Sequence, residues 1–600
     1  MFQTFQATTS PDTGADRLSA LRDQMLEHGV AGFLVPRGDA HMGENVAPRD
    51  ERLAWLTGFT GSAGLAVALR DTAAVFVDGR YTLQVADQVD TEAFQTASLL
   101  DDGPIHWIAE QLPQGGRIGY DPWLHTRDEL DRFADALEDR QVSLVPCPNL
   151  IDRVWRDQPD APKGAVRIHP DDLAGRSHAD KRAEIADALR EAGVSAMVLT
   201  LPESIAWLLN IRGADIERTP VPHAFAIIGS DAAVTLFCDD AKLDADLRAH
   251  LGPDVAVAPP DGFGAALAAL AGPVGVDPKS APVWVADRLG EGSAEQVDLA
   301  DPCALPRARK TEAEISGARA AHLRDGAAMV RFLHWLDTGA GDGPRTEIDI
   351  ATALEGFRAD TGVLEDISFE TISGSGPNGA IVHYRVTEDS NRTLAENDVL
   401  LVDSGAQYRD GTTDITRTMA IGTPPPEACR AFTLVLAGMI DMSRLRWPAG
   451  LAGRDLDAVA RRPLWSAGLD YDHGTGHGVG AYLGVHEGPQ GLSRRSTVPL
   501  EPGMILSNEP GYYKTGAFGI RIENLLVVTP PAPVDGGDRD MLGFETLTLV
   551  PIDRRMILPA LLTAEQRAWL DAYHARVLAE VGPQVDGAVR DWLEASCAPV

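Results

Sequence analysis

Cysteine is scarce in this chain, with five in 600 residues, at Cys147, Cys238, Cys303, Cys429 and Cys597. They are scattered, odd in number and nowhere spaced CxxC. That excludes a disulfide framework and a zinc knuckle and suits a reducing cytoplasm. Basic residues are in deficit: 53 Lys and Arg stand against 88 Asp and Glu, a formal charge of −35. Such an acidic balance argues against nucleic acid or an anionic membrane as the main partner. Long apolar runs are missing as well. The least charged stretch, 255–276, contains Pro259-Pro260, Asp261-Gly262 and Gly272-Pro273. These would break a membrane span, and they predict loop, short helix and loop. The opening residues, MFQTFQATTSPDTGADR, lack the basic and apolar regions of a signal peptide. What is present is ordinary for a globular protein, 44 % hydrophobic and 24 % charged. A chain of this length exceeds one core, so roughly two to four domains are expected.

A weak internal repeat runs through the first half. Residues 16–35 read as a helix ending at Gly29 and then a strand, Val30 to Val35. Residues 181–200 repeat this plan, with Gly193 and a strand from Val194 to Leu199. Each is followed by a similar phrase, AWLTGFTG at 54–61 and AWLLNIRG at 206–213, the first after an insertion of about a dozen residues. Two related α/β domains in tandem are implied. Polar, proline-bearing segments near 150–165 and 300–312 mark boundaries. A long amphipathic helix begins at Glu312, strands punctuated by Gly and Pro follow from 370 to 420, and helices span 427–445 and 453–467. Strand-like segments return over 471–530, and the tail reads as a helix over 562–582 with Thr563 as N-cap.

The residues that suggest chemistry all lie in the third block. In VLLVDSGAQYRDGTTDITRTM, 399–419, a strand ends at Asp403, Asp410-Gly411 reads as the hairpin turn, and the returning strand carries Asp414. Two facing carboxylates in apolar surroundings resist ionising together unless a divalent cation lies between them. A turn-capping Asp403 with an exposed Asp414 would have the same pattern. In HGTGHGVGAYLGVHEG, 473–488, His473, His477 and His486 are interleaved with glycines that allow close ligand approach. SNEPGYY at 507–513 offers Glu509, beside Asn508, a position that reads as tolerant of several residues. In GIRIEN at 519–524, alternation puts Arg521 and Glu523 on one strand face, which a plain ion pair would also produce. Four carboxylates and at least one histidine form an oxygen-rich set. It favours hard divalent ions, manganese first, with zinc or cobalt as alternatives. Four carboxylates exceed what one catalytic zinc needs and suggest two metals, the machinery of hydrolysis.

The segments GSGPNGAIVHY, LLVDSGAQYRDGTTDITRT, DHGTGHGVGAYLGVHEGP, NEPGYY and GIRIEN together resemble the pita-bread metallopeptidases. Within them the chain is most similar to the aminopeptidase P (Xaa-Pro aminopeptidase) branch, in its long three-domain form. FETLTLVPID, 544–553, resembles that form's C-terminal extension. The resemblance implies an α/β (α+β) fold with two tandem creatinase-like domains, 1–160 and 161–308. A pita-bread catalytic domain, 309–540, and an extension packed on it, 541–600, would follow. It implies that Asp403 binds one metal, Asp414 and Glu523 bridge both, and His477 and Glu509 bind the second. His383, His473 and His486 would line the site, with His383 and His486 walling the proline pocket. Tyr513 and Arg521 would hold ligand carboxylates in place. The implied reaction is attack of metal-bound hydroxide on the first peptide bond of Xaa-Pro peptides, with Glu509 as proton shuttle. A cytoplasmic homodimer is implied as well. The alternatives are a prolidase, a methionine aminopeptidase, or a non-catalytic relative of the same fold.

Overall fold

The computed structural model describes residues 1–338 and 345–600. These fall into two compact units, one of residues 8–171 and 176–304 and one of residues 1–7, 172–175 and 305–600.

The first unit contains two six-stranded sheets of identical plan. In the first sheet, helix α1 (Gly14–Glu27) leads to β1 (Gly32–Pro36), and α2 (Arg52–Thr57) follows. The remaining strands are β2 (Gly64–Leu69), β3 (Ala73–Val77), β4 (Gln95–Ser98), β5 (Gly116–Tyr120) and β6 (Val142–Pro146), in the order β4-β3-β2-β1-β5-β6. In the second, α3 (His178–Glu191) leads to β7 (Ala196–Leu199), and α4 (Pro202–Leu209) follows. Its other strands are β8 (Phe225–Gly229), β9 (Val234–Phe237), β10 (Val255–Ala258), β11 (Ala271–Val276) and β12 (Ser293–Asp298), in the order β10-β9-β8-β7-β11-β12. The antiparallel and parallel pairings match strand for strand.

The repeat extends to the helix ends. Gly29 (φ 65°) and Gly193 (φ 71°) both adopt the left-handed conformation that glycine tolerates. The Val30 and Val194 N–H groups then close back on Met25 and Leu189 carbonyls, each at 3.0 Å. Both valines therefore finish the helix cap, and the strands begin two residues later than periodicity suggested. The stretch 255–276 also differs from expectation. It opens and closes with β10 and β11 around a short helix, Phe263–Ala269, because its apolar ends are edge and interior strands of a buried sheet.

In the second unit, α5 (Glu312–Thr338) and α6 (Glu347–Ala359) precede a three-stranded antiparallel sheet of β13 (Ile372–Ser375), β14 (Val399–Ser404) and a later strand. Between them, β15 (Ala406–Tyr408) and β16 (Gly411–Thr412) form a tight hairpin, and the later strand is β17 (Ile415–Ala420). The hairpin loop is Arg409-Asp410, one residue earlier than the expected Asp410-Gly411. Gly411 serves close packing instead: a Cβ there would lie 3.1 Å from Ala318 Cα in α5. Helices α7 (Pro426–Ser443) and α8 (Gly453–Trp465) follow. A five-stranded sheet then has the order β19-β18-β20-β23-β24, from β18 (Gly476–Gly478), β19 (Glu487–Leu492), β20 (Ile505–Asn508), β23 (Asn524–Pro533) and β24 (Asp540–Thr546). A separate hairpin of β21 (Gly511–Lys514) and β22 (Phe518–Arg521) interrupts it in sequence. Helix α9 (Ala564–Glu580) begins at a Thr563 capping box with Gln566. Its Leu570, Tyr573 and Val577 share one buried cluster with Phe432 and Ile440 of α7 and with Ile520 of β22.

Candidate metal centre

Strand pairing alone gathers most of the predicted acids. β14 and β17 run antiparallel with Asp403 opposite Thr416, and Asp414 lies just before β17. In the five-stranded sheet Asn508 pairs with Asn524. Glu509 and Glu523 are the next residues beyond that pair. Crossing the two systems, the Glu523 N–H donates to the Thr416 carbonyl (3.2 Å) and the Thr416 hydroxyl donates to Glu523 Oε2 (2.8 Å). His477, on β18, brings Nε2 to 3.4 Å from Asp414 Oδ2 and 3.5 Å from Glu509 Oε1. Asp414, His477 and Glu523 each present a ligand atom, all within 4.8 Å of one another. Asp403, Asp414 and Glu523 are buried.

This concentration of acid is poorly compensated. Burial drives the Asp403 carboxyl above its ordinary value, and Asp414 adds to the shift despite Arg521. Burial raises Glu509 too, against His477 and Arg521, with Asp414 and Asp403 reinforcing it. Glu523 is pushed furthest, by burial and then by Asp414, Glu509 and Asp403. For His477, burial lowers the pKa, but the Asp414 bond and the Glu509 charge outweigh it and lift it to about 9. Asp403 Oδ1 and Glu523 Oε1 are buried without a hydrogen-bond partner. Buried oxygen atoms rarely stay unpaired, and a carboxylate cluster that resists ionising is relieved by a divalent cation. Carboxylate oxygens with one imidazole form a donor set suited to such an ion.

The acids are held by a second ring of side chains. Arg521 is 1 % exposed, and it donates to Asp403 Oδ2 (2.6 Å), the Tyr513 hydroxyl (2.7 Å) and Thr416 Oγ1 (3.2 Å). The Tyr513 hydroxyl also meets His473 Nε2 at 2.9 Å, and burial pushes its pKa up to about 12. The His486 ring stands edge-on to His477, 4.2 Å between centroids. Glu487, its neighbour, is buried in ion pairs with Lys310 and Arg307. His383 lies half-buried in the turn after the 3-10 helix Gly376–Ala380. That helix sits hard against β22, where a side chain at Gly519 would collide with the Gly379 carbonyl. Contacts thus join His473, His486, Tyr513 and Arg521 to the five predicted ligands, while His383 comes from a separate segment.

Several contributors went unrecognised in the sequence. Thr416 is two residues from Asp414, and Ser507, whose hydroxyl donates to Glu509 Oε1 (3.2 Å), is two from Glu509. Strand alternation could have found both. Arg461 and Asp457 on α8 had no such signal. Arg461 donates to the His473 carbonyl (2.6 Å) and to Asp457 (2.7 Å), and Thr475 donates to Asp457 (2.6 Å). Asn508 corrects the reading of a tolerant position. It is fully buried, and its amide donates to the Met439 carbonyl (2.9 Å) and Ser443 Oγ (3.0 Å).

Comparison with known proteins agrees with this architecture. Metallopeptidase family M24 matches residues 316–530, and the C-terminal region of peptidase M24 matches 540–600. Creatinase/prolidase N-terminal domains match 17–154 and 157–314, which contain the two repeated sheets. A probable Xaa-Pro aminopeptidase P of Laccaria bicolor is 40 % identical over 603 residues, covering 98 % of this chain and 93 % of that one. Another, of Coccidioides posadasii, is 39 % identical and covers 99 % and 95 %. The crystal structure of an X-prolyl aminopeptidase of Caenorhabditis elegans is described as that of a cytosolic enzyme with a di-nuclear active site. It superposes with a TM-score of 0.93 at 34 % identity, covering 98 % of this chain and all of that one. Among the described residues no helix is long and apolar enough to cross a membrane.

Proposed function

The chain belongs to the M24 metallopeptidases, with tandem creatinase domains ahead of the pita-bread domain, and we propose that it removes the first residue from peptides whose second residue is proline. The observation that carries this reading is the buried acid cluster with unpartnered oxygens on Asp403 and Glu523. Asp403 would hold one divalent ion, His477 and Glu509 the other, and Asp414 and Glu523 both. The oxygen-rich donors favour manganese, with zinc or cobalt as alternatives. Bound there, two cations supply Lewis acidity and a water of lowered pKa.

The remaining steps belong to the chain's own side chains. Arg521 fixes the Asp403 carboxylate and is itself braced by the Tyr513 hydroxyl, which also ties His473 to the edge of the site. Glu509, which lies beside His477 at the cluster, is the carboxylate we assign to carry a proton to the leaving nitrogen. A bond to proline has no N–H, so the ring must be recognised by shape, and His383 and His486 are the proposed walls. We assign residues 1–160 and 161–308 to the two creatinase-like domains, 309–540 to the catalytic domain and 541–600 to its extension. A cytoplasmic location is supported by five cysteines that are all free and by the worm relative's description as cytosolic, and a homodimer is expected from the family resemblance alone.

The test uses EDTA-stripped protein with Arg-Pro-Pro, Arg-Ala-Ala and Arg-Pro, with and without manganese. Metal-dependent release of arginine from Arg-Pro-Pro alone is expected. Cleavage of Arg-Pro alone would identify a prolidase. No release from any of them, with no metal retained, would reduce the acid cluster to a relic.

A further inference from the structure

Residues 1–7 belong to the catalytic unit although residue 8 onward belongs to the other. The contacts of residues 2–6 are specific. The N–H groups of Phe2 and Gln3 both donate to the Glu355 carboxylate, at 2.5 and 3.2 Å. The Gln3 side chain is 2 % exposed and is satisfied by a single residue: Nε2 donates to the Thr371 carbonyl (3.1 Å) and Oε1 accepts from the Thr371 N–H (2.9 Å). Phe5 is buried in a cluster with Ile372, Tyr384, Val386 and Leu401, against which Tyr513 packs. The Phe5 carbonyl accepts from the Glu388 N–H (2.8 Å), and Arg385 donates to the Thr4 and Gln6 carbonyls (both 3.2 Å) while paired with Glu370.

These contacts fall on two flanks of the acid cluster. Thr371 precedes Ile372, which is directly opposite Asp403 in the β13–β14 ladder. Tyr384 to Glu388 follow His383, in a stretch that has neither helix nor strand of its own. A segment without a ladder takes its path from whatever packs against it. At its start the Tyr384 hydroxyl is tied to Glu347, Asn378 and Ser390, and from Arg385 to Glu388 the packing comes from Phe5, the main chain around it and the Arg385 bridge.

We propose that residues 2–6 are a strap that positions the His383 segment and the Asp403 edge of the sheet, with Gln3 and Phe5 as positioning residues for substrate binding. The kinetic part rests on His383 facing substrate, as argued above. The strap itself rests only on the contacts. The experiment compares manganese-loaded wild type with Phe5→Ala, Gln3→Ala and Phe5→Leu, by hydrogen exchange and by kinetics on Arg-Pro-Pro.

Amide exchange over 381–388 should quicken by about tenfold in both alanine variants, with α7 and α9 unchanged. KM should rise about tenfold and kcat change by less than about threefold, because binding geometry is lost while the acid cluster is kept. Manganese content should stay at the wild-type value, and Phe5→Leu should restore most of both effects. If Phe5→Ala precipitates, Gln3→Ala carries the same test. Unchanged exchange over 381–388 in the soluble alanine variants, or exchange that quickens evenly through the unit, overturns the strap. If wild type cleaves no Xaa-Pro peptide but the local exchange effect appears, the strap stands and the assigned reaction fails.

Discussion

Two sets of buried charges sit side by side in the catalytic unit and follow opposite rules. Arg358, fully buried between α5 and α6, donates two parallel bonds to Asp325 (2.9 and 3.0 Å), and the Tyr408 hydroxyl donates to the same carboxylate (2.9 Å). Its remaining N–H groups reach the carbonyls of Ser404 and Gly405. One cation meets one anion, and both carboxylate oxygens of Asp325 are used. One residue before Ser404, at Asp403, the matching ends. Asp403, Asp414, Glu509 and Glu523 share one guanidinium and one imidazole, and two of their oxygens are unpartnered. Burial of charge costs several kcal/mol unless paired, so the first set reads as structure and the second as a receptor for cations. The contrast separates the two roles without reference to any relative.

The sharpest way to break this comparison is Glu523→Gln. Peptidase activity should fall by on the order of 10³-fold or more, measured as kcat/KM on Arg-Pro-Pro. In chelated protein the same variant should melt no lower than the parent, since it removes one of several facing acids. A lower melting point there would mean that Glu523 stabilises the fold and is not held in readiness for a cation.

Asp325→Ala should do the reverse. It strands a buried guanidinium and should cost about 3–5 kcal/mol of stability, with metal content unchanged in the folded fraction. Thermal unfolding checks this, and a Tm within about a degree of wild type would remove the pair from the stabilising set. Tyr513→Phe keeps the ring but removes the hydroxyl between Arg521 and His473. A loss of about 10–100-fold in activity or metal affinity is expected, from kinetics and manganese titration, with Tm little changed. At the small end, Arg590 and Glu594 pair at 3.1 Å on the last helix, in water. Arg590→Ala should shift stability by less than about 0.5 kcal/mol in the same melts, showing that a matched charge matters only where solvent is excluded.

The third block's chemistry was legible because its donors come in short, dense phrases. His473, His477 and His486 lie within fourteen positions, and Asp403 and Asp414 fall in one twenty-one-residue phrase, 399–419. The two N-terminal repeats were legible from helix, glycine and strand in the same order. Their strand starts were misplaced by two residues because a valine that closes a helix cap and a valine that opens a strand are equally apolar. Asn508 was misread for a related reason. An amide beside a glutamate looks exposed until Met439 and Ser443, some seventy residues earlier in the sequence, are seen to bond it.

The sequence by itself determined which residue types were available for metal chemistry, the order of the strands that bear them, and the doubling of the N-terminal fold. Composition, periodicity and turn residues are local, and each of these features is local. Only the tertiary structure decided the partners: Arg521 with Asp403, Thr416 with Glu523, Arg358 with Asp325, and Gln3 with Thr371. Periodicity records that a face will be buried, but a side chain's partner depends on which distant segment arrives there. Such contacts between distant segments set how many charges share one dry space, and so separate a receptor for cations from an ordinary ion pair.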